Sequence, residues 1–309
     1  MKAARVLQFG PPSVIVIEDI PRPEPGAGQI LVQVKAAGVG PWDALVREGK
    51  SALNQTLPLI PGSDVAGVVE ALGEGVNGFR MGDEIYGSTN EQFTGGYAEY
   101  ALASAKMLAA KPQTLSYVGA ASAPVVAVTA WQMLHDYAKA AAGQTVLIHG
   151  AAGNVGGYAV QLARLAGLHV VTTAASRGAK YLCGLGAERV IDSKTERFED
   201  SLAPVDVVLD LVGGETQERS LQILKPGGIL VSVVSPVPEA SERKYGVRTV
   251  FFYVEVTTER LHQIALLFDQ GKLRTQLGTI LPLDEARTAY EMLAGAPLLP
   301  GKIVLKIAE

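Results

Sequence analysis

Between residues 145 and 235, short apolar runs alternate with helical ones: TVLIHG, NVGGYAVQLARLAG, HVVTTAAS, RGAKYLCGLGA, RVIDS, VDVVLDLV, ETQERSLQILKPGG and ILVSVVS. A strand that is apolar on both faces has to be covered on both. Strands separated by helices meet that need as a parallel sheet between two helical layers. The segment therefore predicts a doubly wound α/β unit.

Its first junction, VLIHGAAGNVGGYAVQLA, reads as a strand, a glycine-rich turn and a helix with a small-residue start. Gly150, Gly153 and Gly156 form a G-x-x-G-x-x-G variant of the dinucleotide fingerprint. Glycine lets the backbone turn sharply and approach a pyrophosphate, which rests on the free N–H groups that open the helix. Gly150, Ala152, Gly153, Asn154, Val155 and Gly156 are the candidate phosphate contacts. About 20 residues further on, an NAD site would place an acid to hold the ribose 2′-hydroxyl. The sequence there is TTAASRGAK, which has no acid but offers Ser176, Arg177 and Lys180 as a hydroxyl and two cations for a 2′-phosphate. NADPH is the cofactor these residues predict.

Elsewhere the texture differs. Up to about residue 110, β-rich runs such as ILVQVKAAGV, DVAGVVEAL and DEIYG are separated by proline and glycine, suggesting a compact β-rich domain. From Ser116 the pattern becomes helical, with Pro124 dividing SYVGAASA from PVVAVTAWQMLHDYAKAAA and Gly143 ending that stretch. The charged segment PVPEASERKYGVRT, residues 236–249, reads as a loop, either a flap or an exposed connection, and FFYVEVT after it as a strand. Two helices, TERLHQIALLFDQGK and DEARTAYEML, and a strand GKIVLKI then return the chain to the first domain. The domains expected are 1–115 with 266–309, and 116–265. A net charge of −4 without clustered Lys or Arg argues against a nucleic-acid surface. The start MKAARVLQFG lacks the apolar core of a secretory signal, and no run reads as a membrane span, so a cytoplasmic protein is expected. The single cysteine, Cys183, reads as a buried structural thiol.

Over nearly its whole length the chain resembles the medium-chain dehydrogenase/reductase superfamily, in its zinc-independent quinone oxidoreductase (zeta-crystallin-like) branch. The segments that carry the match are AAGVGPWDALVREG, IPGSDVAGVVEALGEGV, MGDEIYG, GGYAEYA, APVVAVTAWQML, AGQTVLIHGAAGNVG, DLVGGET, LKPGGILVSV and GKIVLKI. The resemblance implies a GroES-like catalytic domain, a Rossmann cofactor domain and a cleft between them. It also lets the zinc ligands of relatives be checked. Their positions fall on Gly40, Ser63 and about Val125, the four-cysteine lobe that would follow residue 87 is missing, and the histidines at 135, 149, 169 and 262 lack metal spacing. No metal is expected. The hydroxyl that starts the relatives' proton relay is replaced by Trp42. What remains is hydride transfer to an acceptor that is already electrophilic, a quinone or an α,β-unsaturated carbonyl.

By the same resemblance, Thr129 stands beside the nicotinamide, Trp42 and Tyr86 line the cleft, and Val212 in DLVGGET and Ser193 border the cofactor. Relatives often carry a tyrosine at the Ser193 position. Asp43 matches a recurrent family aspartate, either a cleft residue or a partner for a cation, and Asp64 follows the lost ligand at Ser63. His149 reads as a satisfied core histidine. A homodimer built on the edge strands of the cofactor sheets is the family expectation. Two further readings stay open at this level: a trans-acting enoyl-thioester reductase of a biosynthetic pathway, and a non-catalytic NADPH-binding sensor or structural protein.

Overall fold

The structure, a computed structural model, describes residues 1–295 and 300–308. The chain divides into two compact units, Met1–Val125 with Val256–Glu309, and Val126–Glu255. These limits differ from the sequence-derived ones by ten residues at each crossing. The segment before residue 126 stays with the first unit because the helix Tyr117–Ala121 packs on its strands, and the helix Thr258–Asp269 does likewise. The first crossing falls inside the helix Pro124–Trp131.

The first unit holds strands β1 (Lys2–Val6), β2 (Ile15–Asp19), β3 (Gln29–Val39), β4 (Asp64–Leu72), β5 (Glu84–Ser88), β6 (Tyr100–Ser104) and β7 (Leu108–Ala110). β1 and β2 pair antiparallel. Alternating side chains of β3, with Ile30, Val32 and Val34 wholly buried, make it the centre of the larger sheet. It pairs β4 along one edge, and β6 and a C-terminal strand along the other. Val65, Val69, Ile85 and Leu108 complete the core from β4, β5 and β7.

The second unit contributes β8 (Thr145–Ile148), β9 (His169–Ala174), β10 (Arg189–Asp192), β11 (Val205–Asp210), β12 (Leu224–Ser232) and β13 (Arg248–Phe251). They form one sheet in the order β10–β9–β8–β11–β12–β13, and every pairing is parallel. The chain moves outward from β8 through β10, then returns to the other side of β8 at β11. The switch point therefore lies at the carboxyl end of β8, where open α/β sheets bind ligands. β14 (Leu277–Pro282) and β15 (Lys302–Lys306) then rejoin the first unit, β15 antiparallel to β3 and parallel to β14.

Four local expectations are corrected. Residues 236–249 are not simply a loop, since Glu239–Tyr245 is a helix and β13 begins at Arg248. Acids in its first turn, Arg243 and Lys244 in its last and Gly246 in the left-handed region were the readable signals. The FFYVEVT segment accordingly contributes only its first residue to a strand. The helix starting at Gly214 ends at Leu221, and LKPGG opens β12, because Pro226 has no N–H to continue a helix. Cys183 is exposed: its helix turns Leu182 and Leu185 inward, which puts residue 183 outside. Among the described residues no helix is long and apolar enough to cross a membrane.

Candidate active site

The glycine-rich turn joins β8 to the helix Asn154–Leu165. Gly150 takes φ +66°, a left-handed conformation that glycine adopts without strain. Gly153 is the N-cap, with no side-chain cap on the helix, so the N–H groups of Asn154, Val155 and Gly156 open it without a capping side chain. Gly156 is required by space: a Cβ there would lie 2.5 Å from Ala151 Cα and 2.6 Å from its carbonyl oxygen. Ala152 and Gly153 are exposed at the turn. The residues predicted as phosphate contacts thus share one turn at the switch point, with Gly156 buried beneath it.

Val212, half exposed, borders this turn, its Cγ2 standing 3.3 Å from the Cβ position of Gly150. What places it is Asp210, which sequence reading missed. Asp210 is fully buried at the end of β11. Its Oδ1 accepts the N–H groups of Val212 at 3.0 Å and Gly213 at 2.8 Å, while Oδ2 accepts Gln217 Nε2 at 3.0 Å and the Ser232 hydroxyl at 2.8 Å. Four donors compensate the buried carboxylate and fix the turn. The DLVGG string, an acid followed by two glycines after an apolar strand, was the available signal.

His149, the residue before Gly150, is buried between Thr173 Oγ1 at 2.9 Å and Ser220 Oγ at 2.8 Å, and burial pushes its imidazole down to about 4. It is a neutral, hydrogen-bonded core residue beneath the loop. Thr129 is buried on the helix Pro124–Trp131.

At the end of β9, Ser176, Arg177 and Lys180 are all exposed, and neither cation has an ion pair among the described residues. Ser193, also exposed, follows β10. The structure adds an acid that the local sequence does not contain. β10 pairs β9 in parallel with Asp192 opposite Ala174, and the Ser176 hydroxyl donates to Asp192 Oδ2. That bond and the backbone N–H of Lys194 hold the Asp192 carboxyl below its ordinary value. A cationic pair and one carboxylate therefore share this corner.

The first unit carries a second polar cluster. Gly40 is the N-cap of the helix Pro41–Glu48, and Asp43 reaches back so that its Oδ2 accepts the Gly40 N–H at 2.8 Å. The same oxygen accepts the Tyr97 hydroxyl at 2.8 Å. Burial raises the Asp43 carboxyl to about 6 against the opposing attraction of Lys302. Tyr97, fully buried, is pushed well above the ordinary tyrosine value, first by burial and then by the Asp43 charge. Trp42 is half-buried on the same helix, edge-on to Phe93 with ring centres 6.1 Å apart. Tyr86 is fully buried, and its hydroxyl donates to the Leu261 carbonyl at 2.5 Å. That hydroxyl is committed to the fold of the first unit.

Asp64 opens β4, where its Oδ2 accepts Lys302 Nζ at 2.9 Å and its Oδ1 the Val125 N–H at 2.9 Å. Lys302 Nζ also lies 3.4 Å from the Cβ position of Gly40. The positions that the resemblance assigns to zinc ligands thus hold a glycine, a serine hydroxyl and, at about Val125, an aliphatic side chain, with an ammonium group beside the first. These residues do not fit zinc: they supply no thiolate or imidazole, and the fixed cation would repel another.

A doubly wound sheet with a glycine-rich turn at its switch point, alongside a β-rich unit of GroES type, defines the class: a two-domain dehydrogenase/reductase. The alcohol dehydrogenase GroES-like domain family matches residues 26–113, and the zinc-binding dehydrogenase family matches residues 185–305. The quinone oxidoreductase of Mus musculus is 32% identical over 324 residues, covering 99% of this chain and 97% of that protein. The NADPH-dependent alkenal/one oxidoreductase of Arabidopsis thaliana is 32% identical over 300 residues, covering 94% and 75%. Among solved structures, the quinone oxidoreductase from Coxiella burnetii superposes with a TM-score of 0.92 at 36% identity, covering 99% of each chain. The chain belongs to the medium-chain dehydrogenase/reductase superfamily, within its quinone oxidoreductase, zeta-crystallin-like branch.

Proposed function

We propose that this protein reduces quinones or α,β-unsaturated carbonyls with NADPH and without a metal. What supports the reading is the combination of a glycine-rich turn opening a helix at the switch point with Gly40, Ser63 and about Val125 at the positions that the resemblance gives to zinc ligands. Lacking a Lewis acid, such a site suits acceptors that take a hydride without prior polarisation by a metal. The named activities of the mouse and Arabidopsis relatives agree with it.

The second unit is the cofactor unit in this reading. The turn Gly150–Gly156 and Val212 cradle the pyrophosphate, Thr129 lies near the nicotinamide, and Ser176, Arg177, Lys180 and Ser193 take the adenosine 2′-phosphate. Bound NADPH supplies the hydride. The first unit, with Trp42 and Asp43, supplies the acceptor's surroundings. Tyr86 belongs to its framework. The protein works in the cytoplasm as a homodimer, with the edge strand β13 as the pairing surface.

The test follows oxidation of NADPH and NADH by chelator-treated protein against a quinone, an enone and an enoyl thioester, with cofactor binding titrated in the same preparation. Metal-independent turnover of quinone or enone, faster with NADPH, is the expected result. Turnover of the thioester alone would replace it with the enoyl-reductase reading. Tight NADPH binding with no turnover would replace it with the sensor reading.

A further inference from the structure

We infer that the Lys302 ammonium is a catalytic donor to the acceptor's carbonyl oxygen, the group that stands in for the missing metal. This deepens the reductase reading and rests on it.

The placement follows from strand register. β15 lies antiparallel to β3 with Ile303 opposite Val39, and β4 flanks β3 on its other side with Asp64 opposite Gly38. To reach Asp64, the Lys302 side chain has to cross β3, and Gly38 lets it pass: a Cβ there would be 3.0 Å from both Lys302 Cε and Asp64 Cβ. Lys302 is thereby buried to 4% exposure, its stem enclosed and its head fixed.

An ammonium group has three N–H donors. Asp64 Oδ2 takes one, and no second acceptor for Lys302 Nζ is found among the described residues. The other Asp64 oxygen, Oδ1, accepts the Val125 N–H. Buried donors normally find partners, since an unmet one has lost its water without recompense. The spare donors lie beside the side-chain position that Gly40 leaves empty. Apart from its chain neighbours, the described residues bring two heavy atoms within 4 Å of the Cβ position of Gly40, Lys302 Nζ at 3.4 Å and Asp43 Oδ2 at 3.9 Å. A glycine at residue 40 leaves room there for one ligand atom, nearer to the Lys302 ammonium than to the Asp43 carboxyl.

An enone oxygen suits this place. When hydride adds to the β-carbon, a C–H bond forms there, the C=C electron pair moves to the α-carbon, and the carbonyl π pair becomes negative charge on oxygen. The ammonium stabilises that charge in a water-poor setting, where a fixed donor acts strongly. A solvent proton then completes the α-carbon, so enone, NADPH and one proton give saturated ketone and NADP+. A quinone oxygen is served in the same way on its route to the quinol.

Removing Lys302 alone would strand the buried Asp64 charge and endanger the fold. The test is therefore the neutral, hydrogen-bonded exchange D64N/K302Q. Thermal melting and NADPH titration come first, then enone kinetics, then the absorbance of bound 4-nitrophenol below its solution pKa as an enolate mimic. With an unchanged melt and NADPH affinity within twofold, kcat/KM for the enone should fall about 100-fold or more. The wild type should bind the phenol as phenolate, and the variant should not. Enone activity within tenfold of wild type, or no phenolate in the wild type, would overturn the assignment. If the wild type reduces no acceptor, the reductase reading fails by itself, and the phenolate signal still decides whether Lys302 holds an oxyanion.

Discussion

Asp43 offers the sharpest thermodynamic test of the first unit, because its carboxyl is raised from 3.8 to about 6 chiefly by burial. In the unfolded chain the proton leaves near 3.8, and in the fold it leaves near 6, so between these values the folded state binds the extra proton. Stability therefore falls as pH rises from about 4 to about 6, and the whole penalty is present above pH 7. The rise corresponds to about 3 kcal/mol. Asp43→Asn removes the charge and keeps an acceptor oxygen for the Gly40 N–H and the Tyr97 hydroxyl. Unfolding of both proteins in urea should be compared from pH 4 to pH 8. At pH 8 the variant should be the more stable by up to about 3 kcal/mol, and the gap should close toward pH 4. Titrations common to both proteins cancel in that difference. A difference that is flat with pH would show that Asp43 ionises at its ordinary value in the fold.

Two further experiments address the cofactor unit. Gly156→Ala forces a Cβ to within 2.7 Å of Ala151 backbone atoms, so the helix start must leave the loop. NADPH fluorescence titration should show Kd raised at least about tenfold, with a loss of roughly 1–3 kcal/mol in stability; unchanged affinity would remove the loop from the phosphate site. R177A/K180A should weaken NADPH about tenfold or more and leave NADH nearly unchanged, whereas Asp192→Asn should tighten NADPH by about threefold through loss of one opposing charge. Equal effects on both cofactors would place the 2′-phosphate elsewhere.

The parts of this protein that were legible in its sequence are those whose residues are neighbours in the chain. The glycine-rich turn needs only residues 150–156, and the apolar runs of β8, β9, β11 and β12 need only their own composition, so local physics specifies both. Cys183 and the helix Glu239–Tyr245 were also local, and there the periodic and capping signals were present but outweighed by a compositional habit. Asp192 is a different case. It stands 16 residues after Ser176, and only the parallel pairing of β9 with β10 brings the two together. The Lys302 cluster is the extreme, since residues 40, 43, 64, 97 and 302 meet only once β4, β3 and β15 are aligned side by side. Sequence could report the loss of zinc ligands, an absence at fixed positions. It could not report the replacement: a lysine in a terminal strand enters that space only because a glycine in the central strand lets its side chain cross. Substituting a metal by a side-chain cation thus needs small residues on one strand and charge on its neighbours, a pattern written across the sheet rather than along the chain.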